Sequence, residues 1–290
     1  MRCAPAIGVI LLMLSGCASP PAYHSNRMLG ATAIELFEGP RVAALAEAAC
    51  AGDVAAVNAA VADGIDPNSI SVGFDELGGR VTPLLWAVDC ENSRGVEALL
   101  RAGADPNQST GGCVGLTPIL AAAADARNPL ILRLLLQNGG NPNAVSEVGG
   151  YTALRRAYEH ARSWESAGGG RAAWENWETL LDAGANSEAT FDGGRETIAT
   201  FAARLNDFAK VTELLQRGYS YDLTYLGFWL QLDTEIPGMR ESRFPVPPLG
   251  PEAEAARQQA IALLVQRGVR FPISRENVGF RDPNAPLEAN

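Results

Sequence analysis

The chain has 290 residues, 47% of them hydrophobic, which is enough apolar material for a sizeable core. Its formal net charge is −10 at pH 7. Nucleic acids and anionic lipid surfaces both repel a chain of this charge, so we expect no nucleic-acid partner and no membrane binding through a basic patch.

The N-terminal residues have the composition of a secretory signal. Arg2 precedes an apolar run over residues 7–14, and Leu14-Ser15-Gly16-Cys17 follows. A positive residue, a short apolar stretch and small residues in this order are typical of a signal peptide. Its end resembles a bacterial lipobox, which implies cleavage before Cys17 and attachment of diacylglycerol to that thiol. An ordinary signal peptide that happens to contain a cysteine is the alternative.

These features predict how the ends of the chain are organised. We expect a lipoprotein signal peptide over 1–16, a lipidated cysteine with a flexible tether over 17–30, and a flexible tail over 274–290. At about 0.8 kcal/mol per buried CH₂, several acyl chains on one residue make release from a membrane negligible. Ala18 stands where enteric lipoproteins of the inner membrane carry aspartate. That resemblance predicts an outer-membrane anchor facing the periplasm.

One phrase recurs along the rest of the chain: apolar residues, then a glycine, then a polar turn. Its clearest copy is ALLRAGADPN at Ala98–Asn107. The glycine can close a helix in the left-handed conformation, and Asp-Pro-Asn favours a turn. A phrase repeated every 20 to 50 residues, roughly, is typical of a repeat array. The glycines are Gly64, Gly103, Gly139, Gly184, Gly218 and Gly268.

A second phrase opens the units, with threonine as a helix N-cap and often proline after it. The copies are TPLLWAV from Thr82, TPILAAA from Thr117, TALRRAY from Thr152 and TIATFAA from Thr197. Together the two phrases resemble those of the ankyrin repeat family, although Leu85 and Leu120 replace the family's histidine. The resemblance implies an all-α ankyrin repeat solenoid over 31–273, with about six helix-turn-helix repeats and hairpin-like turns.

Two insertions interrupt the array, near 159–173 and 233–250. The first contains three glycines and lies among Trp164, Trp174 and Trp177. We expect it to lengthen both helices of its repeat around a glycine break. Its tryptophans either cover the extra helix length as core or form a binding hot spot. The second insertion is either a functional loop or a tolerated decoration.

The cysteines leave two interpretations open. Aligning Gly64 with Gly103 places Cys90 level with the residue after Cys50. Because neighbouring repeats stack side by side, Cys50 and Cys90 form a tentative disulfide, which export would permit. The alternative is that both are small residues filling the helix layer. Cys113 falls in a turn, where we expect it to stay unpaired. The spacing does not fit a zinc site, so we predict no metal.

No catalytic constellation is evident. His24 and His160 are the two histidines, and the glycine pairs before the threonine openings are turn glycines rather than phosphate loops. We therefore expect no enzymatic activity and no cofactor. Ankyrin arrays bind proteins mostly through hairpin tips and inner helices. That resemblance places the partner contacts at Arg80, Tyr151, Glu159, Phe191, Arg195 and Glu196.

These observations predict a monomeric, non-catalytic protein–protein interaction module at the bacterial envelope, held there by lipidated Cys17. It would act as a scaffold or tether for an unidentified envelope protein. The alternative is an inhibitor or immunity protein that neutralises a secreted toxic enzyme.

Overall fold

The computed structural model describes residues 32–72, 80–110, 117–123, 128–146, 150–166, 174–191, 194–232, 249–274 and 276–279. Across these ranges the secondary structure is helical, with two isolated β-bridges at hairpin bases. The predicted all-α fold is therefore confirmed. The chain divides into two compact units, the first ending at Asn186 and the second beginning at Ser187, and each is described by itself.

The first unit contains a short helix followed by four helix pairs. The first helices of the pairs pack on one another in chain order, and so do the second helices. Two layers of helices result, with the core between them. The helices are α1 (Ala33–Leu36), α2 (Pro40–Ala51), α3 (Val54–Ala62), α4 (Pro83–Asp89), α5 (Ser93–Arg101), α6 (Pro118–Ala123), α7 (Pro129–Gln137), α8 (Ala153–Ser166) and α9 (Glu175–Asp182).

The second unit contains two helix pairs. Its helices are α10 (Ile198–Arg204), α11 (Phe208–Gln216), α12 (Leu223–Gln231) and α13 (Pro251–Gln266), followed by a 3₁₀ turn at Glu276–Val278. α10 packs against α11 and α12, and α13 packs against α11 and α12. The last pair thus stacks on the pair before it, as the repeat pattern predicts.

Local sequence explains where these helices begin and end. The hydroxyl of Thr82 accepts a hydrogen bond from the backbone N–H of Leu85 at 3.0 Å, and Thr152 caps α8 in the same way. Such caps satisfy N–H groups that have no partner within the helix. The helix-closing glycines have positive φ angles, as the repeated phrase predicts. These are +85° at Gly64, +92° at Gly103, +87° at Gly139, +82° at Gly184, +105° at Gly218 and +90° at Gly268.

Asparagine side chains in the turns join each repeat of the first unit to the next. In each link the side-chain oxygen accepts a backbone N–H of the following turn, and in two links the side-chain amide also donates to that turn's glycine carbonyl. The bonds run from Asn68 to Asp105 (2.7 Å) and Gly103 (3.0 Å), from Asn107 to Asn141 (2.7 Å) and Gly139 (2.9 Å), and from Asn143 to Asn186 (2.6 Å). This asparagine ladder aligns successive turns.

The insertion in the fourth repeat differs in part from its prediction. α8 is long, with 14 residues, but α9 has only 8, so the second helix is not lengthened. Trp174 and Trp177 are 8% and 0% exposed and pack on the buried ring of Tyr158, with centroids 5.6 Å away in both cases. These two tryptophans are core, because they cover the side of the extended α8. Trp164 is half-buried.

The segment after α13 corrects the expected start of the C-terminal tail. Ile273 and Val278 are 4% and 2% exposed and pack with Phe228 of α12. The amide of Gln231 binds both the N–H and the carbonyl of Ile273. Residues 276–279 therefore belong to the packed end of the second unit, because Val278 covers α12.

Cys50, in the first helix of the first repeat, and Cys90, directly after the first helix of the second, form a disulfide with Cα atoms 5.3 Å apart. Both cysteines are half-buried. Several regions singled out in the sequence lie outside the described residues, namely 1–31 with Cys17, Cys113, and 233–248. In the described part of the chain, no helix is both long and apolar enough to cross a membrane.

Gly95 marks a close approach between α5 and α2. A Cβ atom there would lie 1.8 Å from the carbonyl oxygen of Ala49, which is backbone and cannot rotate away. We expect Gly95→Ala to lower the free energy of unfolding by about 2–3 kcal/mol. This would occur even though alanine is favoured over glycine in helices by about 1 kcal/mol. Urea unfolding followed by circular dichroism measures the change.

Gly227→Ala is the matched control. A Cβ at Gly227 would meet mainly the Cδ1 atom of Ile273 at 2.8 Å, the end of a side chain that can move. Its loss of stability is expected to be smaller. Equal stability of Gly95→Ala and the native chain would show that α5 does not approach α2 this closely.

Candidate protein-binding surface

Two hairpin bases position the side chains predicted to contact a partner. In the first unit Val145 bridges Thr152, and the N–H of Ser146 donates to the carbonyl of Tyr151 at 2.9 Å. The N–H of Tyr151 also donates to the Ser146 hydroxyl at 3.2 Å. Tyr151 is thereby held immediately before the start of α8. Hydrogen bonds of its backbone groups therefore fix the position of Tyr151.

The ring of Tyr151 lies against two arginine side chains of α8. The guanidinium carbon of Arg155 is 4.3 Å from the ring centroid, and that of Arg156 is 5.2 Å from it. At these distances each cation is attracted by the electron-rich face of the ring. The predicted residues Tyr151 and Glu159 thus belong to one cluster with two arginines that the sequence did not single out.

The two arginines have different environments. Arg155 is only 6% exposed, and its Nε donates to a carboxylate oxygen of Glu159 at 2.9 Å. This ion pair lies on successive turns of α8 and neutralises the buried charge. Arg156 is half-buried, and among the described residues no carboxylate pairs with its guanidinium. The cluster of Tyr151, Arg155, Arg156 and Glu159 therefore carries one positive charge that is not neutralised within it.

Helix register could have identified Arg156. The buried positions of α8 define its inward face, and they are Ala153, Leu154, Ala157, Tyr158 and Ala161. Arg156 lies between these inward-facing positions in the sequence, so its side chain points away from the core.

Arg80 lies at the corresponding base in the second repeat, and its side chain is exposed. The next residue, Val81, is fully buried, and its N–H donates to the Ser71 hydroxyl at 2.8 Å. Arg80 is therefore presented from an ordered backbone position. Its role in binding stays a prediction.

Phe191 is not the exposed apolar contact that we expected. It is 4% exposed, and its ring packs edge-on against Phe201 with centroids 6.1 Å apart. Its N–H donates to the carbonyl of Glu196 at 2.8 Å, which closes the hairpin base. The pairing turns the ring towards α10, so Phe191 contributes to the core of the second unit.

Arg195 and Glu196 make internal contacts in the second unit. Arg195 donates to the carboxylate of Asp222 at 2.7 Å and to the carbonyl of Val278, and its guanidinium lies 4.6 Å from the ring centroid of Tyr225. Glu196 pairs with Arg204. Arg195 therefore joins the hairpin base, α12 and the C-terminal segment, and much of its bonding capacity is used there.

Other chemistry-bearing groups serve packing. The Tyr219 hydroxyl bonds the Thr197 hydroxyl at 2.8 Å, and burial raises the pKa of Tyr219 well above its ordinary value. His160 is half-buried and stacks on Trp164 with ring centroids 6.1 Å apart. No group of three or more potential metal ligands occurs in the ranges that the structure describes.

Comparison with known proteins agrees with this architecture. Residues 80–111 and 114–147 match the family model of the ankyrin repeat. These segments contain the second and third helix pairs. The chain therefore carries ankyrin repeats, which are protein–protein interaction modules.

The chain is also similar to Protein PhlB of Serratia liquefaciens. The two are 32% identical over 157 residues, which are 54% of this chain and 64% of PhlB. The match thus spans less than two thirds of the relative's length. The name of the relative assigns no activity to this chain.

The contacts of Arg195 lead to a test of its structural role. We expect Arg195→Gln to destabilise the second unit by about 1–2 kcal/mol, because it removes bonds to Asp222 and to the carbonyl of Val278. Thermal unfolding and limited proteolysis with mass spectrometry would show the loss, with earlier cleavage in 269–279. Arg270→Gln is the control, since Arg270 is an exposed arginine of the same segment. If both variants resist protease equally well, Arg195 does not hold this segment.

Proposed function

We propose that this protein is a non-catalytic interaction module that the lipid on Cys17 holds at the bacterial envelope, where it acts as a scaffold or tether for another protein. The observation that carries the proposal is the stack of ankyrin helix pairs. Its hairpin bases present Arg80 and the Tyr151 cluster from ordered backbone. A repeat surface of this kind binds by shape and side-chain chemistry.

The order of Arg2, the apolar run over 7–14 and Leu14-Ser15-Gly16-Cys17 supports the anchor. The disulfide between Cys50 and Cys90 supports export, because disulfides persist in oxidising compartments and are rare in the cytosol. The two features are separate in the chain, and both favour a location outside the cytoplasm. We propose that the outer membrane, on its periplasmic side, is that location.

The environments of the polar side chains support a non-catalytic role. The carboxylates of Glu159, Glu196 and Asp222 each pair with an arginine that stabilises a helix or a hairpin base. Burial raises the pKa of Tyr219 and keeps its hydroxyl protonated, and that hydroxyl bonds the Thr197 hydroxyl. These groups are engaged in structure, so we propose that the protein acts through contact surfaces.

Replacement of the proposed lipid-bearing residue tests the location. We expect Cys17→Ser to move the protein from the membrane fraction to the soluble envelope fraction, because the acyl chains are lost. Cys113→Ser, which removes a different cysteine, is expected to stay with membranes. Thiol labelling before and after reduction would show Cys50 and Cys90 protected in the exported protein. Membrane retention of Cys17→Ser, or free Cys50 and Cys90 thiols, would contradict the proposal.

The interaction itself is tested by crosslinked capture from envelope fractions with the wild-type chain and Cys17→Ser. We expect one enriched protein whose capture depends on the array. If that protein is an enzyme and loses its activity when bound, the chain is an inhibitor rather than a scaffold. If neither form enriches a protein, the interaction proposal is wrong.

A further inference from the structure

We propose that the face formed by Tyr151 and Arg156 binds a carboxylate on an exposed segment of the partner protein, in a partner that is neutral or basic overall. This proposal rests on the proposed function, since it specifies the chemistry by which the array recognises a protein. The pair is called the Tyr151–Arg156 face below.

The first step concerns charge. Arg155 and Glu159 form an ion pair at 2.9 Å whose side chains are 7% and 19% exposed, and this pair fills the inner side of the cluster. Arg156 is left with its guanidinium against the Tyr151 ring, and within the described residues no acidic side chain meets it. A guanidinium can donate two parallel hydrogen bonds to a carboxylate. A carboxylate is therefore the ligand that fits the uncompensated charge.

The second step concerns rigidity. Tyr151 is fixed by backbone bonds to Ser146 and by the Arg155 guanidinium 4.3 Å from its ring centroid. Arg156 starts from the first turn of α8, whose N-terminus is capped by Thr152. A cation that already lies against an aromatic ring loses less conformational freedom on binding. Tyrosine and arginine are also enriched among the residues that dominate binding energies.

The third step concerns the partner's overall charge. The whole chain carries a formal charge of −10, so a strongly acidic protein would be repelled on approach. At an ionic strength of about 0.1 M the screening length is about 10 Å, so a single carboxylate is attracted by Arg156 only near contact. A neutral or basic partner that presents one acidic residue satisfies both conditions. An aliphatic neighbour of that residue would contact the Tyr151 ring.

Two labelled peptides that differ in one group test this recognition. One carries Leu-Glu-Leu and the other Leu-Gln-Leu, each flanked by Gly and Ser and with one lysine, so that the Glu peptide is neutral and the Gln peptide is singly positive. Fluorescence anisotropy is measured with the full chain. We expect the Glu peptide to bind about tenfold more tightly, because hydrogen bonds to an ionised carboxylate are stronger than those to a neutral amide.

Variants assign this discrimination to the face. Arg156→Gln is expected to remove it, while Arg156→Lys keeps the charge but not the planar fork and retains part of it. Arg94→Gln is the matched control, because Arg94 is an exposed arginine on α5, and it is expected to discriminate like the wild type. Thermal unfolding checks that each variant is folded. Equal binding of the two peptides to the wild type, no binding of either, or unchanged discrimination in Arg156→Gln would overturn the inference.

Three further outcomes show whether this inference or the proposed function has failed. If envelope capture succeeds equally with wild type, Arg156→Gln and Arg94→Gln, the interaction module stands and the Tyr151–Arg156 face is not its contact. If phosphatidylglycerol vesicles bind the wild type but not Arg156→Gln, and the peptides show no discrimination, the face binds a lipid headgroup and the protein-ligand inference is wrong. Peptide discrimination without capture of any protein would contradict the envelope-scaffold proposal alone.

Discussion

The hydrogen bonds between successive repeats are the constraint on which the first unit depends. In the turns, Asn68, Asn107 and Asn143 each accept a backbone N–H from the following turn, at 2.6–2.7 Å. A second set of hydrogen bonds is made by asparagines that lie between the two helices of a pair. The side-chain amide of Asn92 donates to the carbonyl of Cys50 at 3.0 Å, and that of Asn128 donates to the carbonyl of Glu91 at 2.9 Å. Apolar burial alone would let neighbouring pairs slide, because it has no direction. These bonds do have direction, and they determine how each hairpin base is presented.

In the second unit, charged side chains make the directional bonds that join one part of the fold to the next. Glu188 occupies the position of the ladder asparagines and accepts bonds from the backbone N–H groups of Ser220 at 2.6 Å and Tyr221 at 3.2 Å. Arg195 then joins a hairpin base to α12 and to the C-terminal segment, which covers the apolar side of the last helix pair. Arginine thus has two roles here. Arg195 is used within the fold, whereas Arg156 keeps donors that a partner can use.

Much of this architecture could be predicted from the sequence because its signals are local. A glycine that closes a helix and a threonine that caps one each depend on a few neighbouring residues, and the repeat spacing aligns Cys50 with Cys90. The predictions for Phe191 and for the start of the C-terminal tail were wrong, because contacts with residues distant in the sequence determine burial there. The burial of Phe191 depends on Phe201, and that of Val278 on Phe228.

The central claim is that the ordered hairpin and inner-helix side of the first unit is the binding surface. Hydrogen–deuterium exchange of the full chain, alone and with its captured partner, tests this most directly. The account predicts added protection at residues 150–160, which contain Tyr151 and Arg156, with little change in the second helices α3 and α5. Protection confined to α3 and α5, or no change in the first unit, would contradict it.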